Sequence, residues 1–193
     1  MDAQNPQAMM PTLTELSTAL GQLRQPWPQQ WPGLPLVFER AWQQLALGVP
    51  RAGSRAHALL AFGRLVVEQV ERDGAMRHAQ GQEPAYHNRL HIADTLVCMT
   101  YLLKASAYLK VAGAHQAPVA ALALAIMAGH DFLHPGGSNS QPAEFESRAV
   151  QDLRPLMQAA GLLEADQAQL AYCILATDPA RVKGFHLAVR SQV

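Results

Sequence analysis

The run Val119-Ala-Ala-Leu-Ala-Leu-Ala-Ile-Met-Ala128, followed at once by "GHDFLHPGG", constrains this chain more than any other stretch. Ten apolar residues without a charge read as a buried helix, and Pro135-Gly136-Gly137 must end it. His130 and Asp131 then fall at the C-terminal end of that helix, where the dipole is negative and burial penalises an unpaired anion. Asp131 therefore needs a cation, a hydrogen-bond network or a metal.

The sequence around this run is helical as well. Ser54 can cap a helix reaching about Arg72, with Leu59, Leu60, Leu65, Val66, Val67 and Val70 on its apolar face, and a polar loop is expected over Arg72–Glu83. Further helices are predicted over His87–Ala112, Pro118–Asp131, Glu144–Ala160 and Glu164–Thr177, with turns at Gly113, His134–Pro142 and Gly161. No alternation of a β-strand competes, and there is neither an internal repeat nor a coiled-coil heptad. An all-α, compact multi-helix bundle is the expected fold.

The first fifty residues differ. Seven of the thirteen prolines lie there, and "RQPWPQQWPGLPL" cannot be one regular helix, because each proline lacks an N–H and restricts its predecessor. Residues 1–53 are expected to form an irregular Pro/Trp-rich arm, with short helices at about Leu13–Leu23 and Val37–Leu47, packed through Trp27, Trp31 and Trp42 on the helical domain of residues 54–193. The formal net charge of +0 gives no footprint for nucleic acid or an anionic membrane surface. No run reaches the ~18–20 apolar residues of a membrane span, and no basic start leads into an apolar stretch, so a cytoplasmic protein is expected. Cys98 and Cys173 lie in apolar, helix-like segments and are expected to be buried free thiols.

The second chemical motif is "AYHNRLHIADTLVC". His87 and His91 are four apart, which on a helix puts both imidazoles on one face, with Asp94 and Cys98 continuing it. Such a pair can share a metal, or one His can bind it while the other points over it toward a substrate. Together, His91, His130 and Asp131 supply a mixed nitrogen and oxygen donor set, suited to Zn, Fe or Mn, whereas Mg or Ca would prefer more oxygen. A carboxylate can also bridge two ions, an arrangement suited to attack on phosphorus.

"YHNRLHIAD", "GHDFLHPGG-SN" and "CILATDP", in that order on an all-α chain, resemble the cyclic-nucleotide phosphodiesterase branch of the HD-domain metal-dependent phosphohydrolases. The resemblance spans roughly residues 84–180. It implies that His91, His130 and Asp131 are metal ligands for two divalent ions, drawn from Zn, Mn, Fe or Mg. It makes His87 the general acid that protonates the leaving oxygen; a carboxylate is needed to keep such a His protonated, and Asp94 and Glu146 are the two candidates. It sets His134 beside the second ion and its water, gives Glu146 a supporting role in that network, and places Tyr86 and Asn88 at the substrate. The implied substrate is a small phosphoester, a 3′,5′-cyclic nucleotide first of all.

Structural roles stand beside these. His134 can cap a helix end or brace the Pro-Gly turn, Glu146 can be a first-turn glutamate favoured by the helix dipole, and Asn88 can be a cap. His57, His78, His115 and His186 read as surface or locally satisfied histidines. The chain also departs from the family: a further aspartate ligand and the base-gripping glutamine and aromatic residue lie downstream of "ATD" in its members, and the paired His after the Glu146 position is Ser147-Arg148 here. The family fold is then truncated, or a second copy completes the site, or Asp178 is recruited as a fourth ligand, or catalysis is impaired. Two other readings follow from this: an HD phosphohydrolase acting on another nucleotide or signalling phosphate, and a non-catalytic metal-binding helical module.

Overall fold

The computed structural model describes residues 10–111, 113 and 116–179. Among them the chain forms seven α-helices and no strand: α1 (Leu13–Arg24), α2 (Leu34–Gln44), α3 (Arg55–Ala79), α4 (Arg89–Tyr108), α5 (Ala117–Gly129), α6 (Glu144–Ala159) and α7 (Glu164–Leu175). No described helix is long and apolar enough to cross a membrane.

Helices α3 and α5 form the central pair. The buried face of α5 is mostly alanine, with Ala120, Ala121, Ala125 and Ala128 all at 0 % exposure, and these small residues let its backbone approach its neighbours. Leu59, Leu60, Phe62, Val66 and Val67 of α3 fill the same core. Gly63 is part of this fit: a Cβ there would lie 2.4 Å from the Phe38 ring, so α2 sits directly on the backbone of α3.

Segment 34–44 is thus more than a cover for a finished core, since Leu34, Val37, Phe38, Ala41 and Trp42 are all buried in it. It starts at Leu34 rather than Val37, because Pro35 occupies the first turn, where a missing N–H costs nothing. Two further boundaries differ from expectation. Helix α3 runs through Ala79 and absorbs most of the expected Arg72–Glu83 loop: the Asp73–Arg77 pair, one turn apart at 2.7 Å, supports the added turns. Gly81, with φ +69°, then provides the left-handed stop. Helix α4 begins at Arg89 rather than His87, because the Asn88 side chain accepts the His91 N–H at 3.0 Å and caps it.

The expectation of two buried thiols is corrected. Helix α4 buries Ile92, Ala93, Leu96, Thr100 and Leu103, and this spacing turns Cys98 to the opposite side, where it is exposed; Cys173 is intermediate.

Candidate metal centre

Three segments converge on one carboxylate. The loop before α4 supplies His87, the first turn of α4 supplies His91, and the end of α5 supplies His130 and Asp131. Asp131 Oδ2 lies 2.9 Å from His87 Nδ1, 3.1 Å from His91 Nε2 and 3.2 Å from His130 Nε2. His91 Nε2 and His130 Nε2 are 3.3 Å apart.

A tetrahedral ion with bonds of about 2.0–2.1 Å separates its ligands by about 3.3 Å. The three mutual distances among His91 Nε2, His130 Nε2 and Asp131 Oδ2 match that edge. His87, His91 and Asp131 also form a group that can hold a metal ion, each offering one donor atom within 4.8 Å of the others. Both sets contain His91 and Asp131, and both mix imidazole nitrogen with carboxylate oxygen, a donor set that fits Zn, Fe or Mn. His130 is oriented from behind: its Nδ1–H donates to the Met127 carbonyl at 2.9 Å, so Nε2 is the nitrogen facing the centre.

The electrostatics follow from this crowding. Burial alone would push the Asp131 carboxyl up, but hydrogen bonds from His130 and His91, with the charge on His130, hold it far below the usual carboxylate range. Burial opposes a charge on His130, and the hydrogen bond and charge of Asp131 outweigh it, so this imidazole is more basic than usual. His134 goes the other way, lowered by burial and then by the neighbouring His87.

The centre forms one wall of an open cleft of about 490 Å³, within the usual size of a small-molecule site. His87, His134, Tyr86 and Glu146 line it with the three ligand-type residues. His134 stacks on His87 with ring centres 3.7 Å apart, and its Nδ1 accepts the Gly136 N–H at 3.0 Å. It thus braces the Pro-Gly turn and faces the cleft at once. Tyr86 is 65 % exposed at the rim, its ring 4.6 Å from His91.

Other expected residues take structural posts. Asn88 is committed on both sides, its Oδ1 to the His91 N–H and its Nδ2 to the Ala85 carbonyl at 3.0 Å. Glu146 is buried and accepts Asn139 Nδ2 at 2.8 Å. The carboxylate on His87 is Asp131 itself, not Asp94 or Glu146; Asp94 instead pairs with Arg24 at 2.8 Å, joining α4 to α1. Asp178 lies on the cleft wall, but its Oδ2 accepts the Ala143 N–H at 2.8 Å, at the start of α6. The expectation that His87 and His91 share one helix face is corrected: His87 lies outside α4, and the loop brings it to the carboxylate that His91 also meets.

Sequence reasoning missed Asn139 and Phe145. Asn139 holds Glu146 through Nδ2 and caps the Phe145 N–H through Oδ1 at 3.0 Å, a role signalled by a Ser-Asn pair shortly before a helix start. Phe145 packs on His134 at 4.6 Å between ring centres. Comparison of the chain with family models, characterised proteins and solved structures returns no match.

Proposed function

We propose that this chain is a metal-dependent phosphodiester hydrolase of the cyclic-nucleotide phosphodiesterase type within the HD-domain superfamily, acting in the cytoplasm on a small phosphoester, with a 3′,5′-cyclic nucleotide as the leading substrate. The observation that supports this reading is the set of ligand-spaced atoms on His91, His130 and Asp131 in the wall of an open cleft, with His87 held on the same carboxylate.

Divalent ions bound there would polarise a phosphoryl group and make water acidic enough to supply hydroxide near neutral pH. His91, His130 and Asp131 are the residues that would hold them. His87 is suited to hold and deliver a proton: its Nδ1 is engaged by Asp131 at 2.9 Å, and Nε2 is then the nitrogen left to protonate an alkoxide leaving group. The stacked His134 ring fixes the orientation of His87. Asn139 keeps the Glu146 carboxylate turned into the cleft, where it can order water.

The bond from Asp178 to Ala143 favours a second reading, a metal-binding module without turnover, because the carboxylate expected as a fourth ligand is engaged at the start of α6. One experiment separates the two: metal content of the purified chain, and hydrolysis of cyclic AMP and cyclic GMP with and without added Mn²⁺. Metal with turnover supports the hydrolase, and metal without turnover supports the module. Turnover of several phosphoesters with no preference for cyclic ones would point to another HD phosphohydrolase, and failure to bind any divalent ion would refute all three.

A further inference from the structure

The loop that carries Tyr86 and His87 is closed at its base by a buried ion pair that the proposed chemistry does not use. Arg89, the first residue of α4, is 6 % exposed. Its guanidinium forks onto Glu83, with Nε at 2.8 Å from Oε1 and Nη2 at 3.0 Å from Oε2, and its Nη1 donates to Glu71 Oε1 of α3 at 2.6 Å. The other oxygen of Glu71 accepts the Trp31 indole N–H at 2.9 Å and the Leu34 N–H at 2.7 Å. The guanidinium also lies against the Trp27 ring, 5.1 Å from its centre. One side chain thus ties together α3, the start of α2, the Trp-rich segment and the first turn of α4. Gly74 makes room for it, since a Cβ there would meet the Arg89 side chain at 2.6 Å.

A buried ion pair adds little net stability over apolar residues of the same volume, but it does fix geometry. What is fixed here is specific. The Glu83–Arg89 fork clamps the two ends of the stretch bearing His87, and within it the Asn88 N–H bonds to the Tyr86 carbonyl at 2.8 Å. His91 follows Arg89 by two residues on the same turn. A metal site tolerates displacements of only about half an ångström in its ligands.

We infer that Arg89, clamped by Glu83 and Glu71, is a positioning residue that sets His87 and His91 against Asp131, so that docking of the Trp27–Trp31 segment and affinity for a divalent ion are coupled. The metal half of this inference rests on the function proposed above; the effect on His87 does not. By linkage, an ion bound at the centre favours the docked segment as much as docking favours the ion.

The test is Arg89→Lys, which keeps the charge but cannot bridge two carboxylates with a rigid fork. Co²⁺ binding is read by visible absorption, and the His87 Nδ1–H resonance in the metal-free protein is read by NMR. The control is Asp166→Asn, which breaks an ion pair with Arg55 between α3 and α7. The expected result is Co²⁺ affinity about 10–100-fold weaker in Arg89→Lys, the usual loss for an outer partner of a ligand, with a shifted or broadened Nδ1–H resonance and no change in affinity in the control. Affinity within twofold of the parent and an unmoved resonance would overturn the inference, as would an equal loss in the control. If the parent chain binds no Co²⁺ the metal reading fails, and the His87 resonance alone decides the positioning role. If Arg89→Lys does not fold, Glu83→Gln, which keeps the shape and removes one charge, takes the same measurements.

Discussion

Replacing Asp131 with Asn keeps the shape of the side chain and removes the charge on which three histidines converge, at 2.9, 3.1 and 3.2 Å. Hydrogen bonds involving a charged group contribute about 1.5–3 kcal/mol each. They are not additive around one oxygen, and losing a buried anion recovers part of its desolvation cost. A net loss of about 2–3 kcal/mol is therefore expected in the metal-free protein below neutral pH. At this chain length ~1 kcal/mol moves the midpoint by about 2–4 °C, so thermal unfolding followed by circular dichroism should show a fall of about 4–12 °C.

The pH dependence of that fall follows from the two shifted groups. Asp131 titrates below its unfolded value of about 3.9, so its contribution is present above that pH and is lost as the pH falls further. His130 titrates above its unfolded value of about 6.5, so its contribution is complete below that pH and is lost as the pH rises through the folded value. The penalty of Asp131→Asn is thus greatest between about pH 4 and about pH 6.5 and shrinks on the alkaline side. Metal adds a second reading: at an ion concentration a hundred times Kd the parent gains about 2.7 kcal/mol and its midpoint rises, whereas the variant should hardly respond. An equal metal-induced rise in both proteins would refute Asp131 as a ligand, and an unchanged metal-free midpoint at about pH 6 would refute its role as the shared acceptor.

Other outcomes can be checked with the same material. His87→Ala should retain metal while slowing hydrolysis most for substrates with poor leaving groups; an equal loss on activated aryl phosphoesters would exclude it as the general acid. Gly63→Ala should destabilise by about 1–3 kcal/mol, because its methyl meets the Phe38 ring, and Phe38→Leu in the same chain should recover part of that loss in urea unfolding. Gly21→Ala, in an open stretch of α1, should stabilise by up to about 1 kcal/mol on the same assay. His134 titrates below its unfolded value, so its neutral form stabilises above about pH 6.5 and this is lost on acidification; His134→Asn should gain on the parent as pH falls, and a pH-independent difference would contradict the burial of His134.

Much of the helical architecture was legible because the apolar spacing is strong where helices are buried on one side or nearly all round. The long α3 was cut short at Arg72 because its last two turns are polar, and they are held by Asp73–Arg77 and by Arg89 packing over Gly74, a contact that no local pattern announces. The start of α4 was misplaced by two residues because Asn88 was weighed for substrate contact as well as for capping, and its side chain caps. That histidines of the two motifs would gather on Asp131 could be expected from motif and chemistry. The support around them could not: no local pattern links Glu71 and Glu83 to Arg89, eighteen residues after one and six after the other. Non-glycine residues in the left-handed region, Leu133 and Ala143, were likewise invisible, yet both lie in the turn region that carries His134 toward α6.

Three imidazoles crowd one carboxylate and a fourth stacks on one of them, and their other contacts distinguish them. A ligand histidine needs its non-ligating nitrogen held from behind, and His130 meets this through Met127. His87 approaches Asp131 with Nδ1, the nitrogen that would have to bind an ion in the set it forms with His91 and Asp131. To act as a ligand it would give up its hydrogen bond to the carboxylate, and it would enter the centre while stacked on a histidine whose own basicity is lowered. His91 and His130 meet Asp131 through Nε2 in the same way, and His130 differs in that its other nitrogen is already held by the Met127 carbonyl. In the proposed hydrolase, the bond to Met127 would suit His130 to hold an ion, and the place of His87 outside α4, stacked on His134, would suit it to carry the proton.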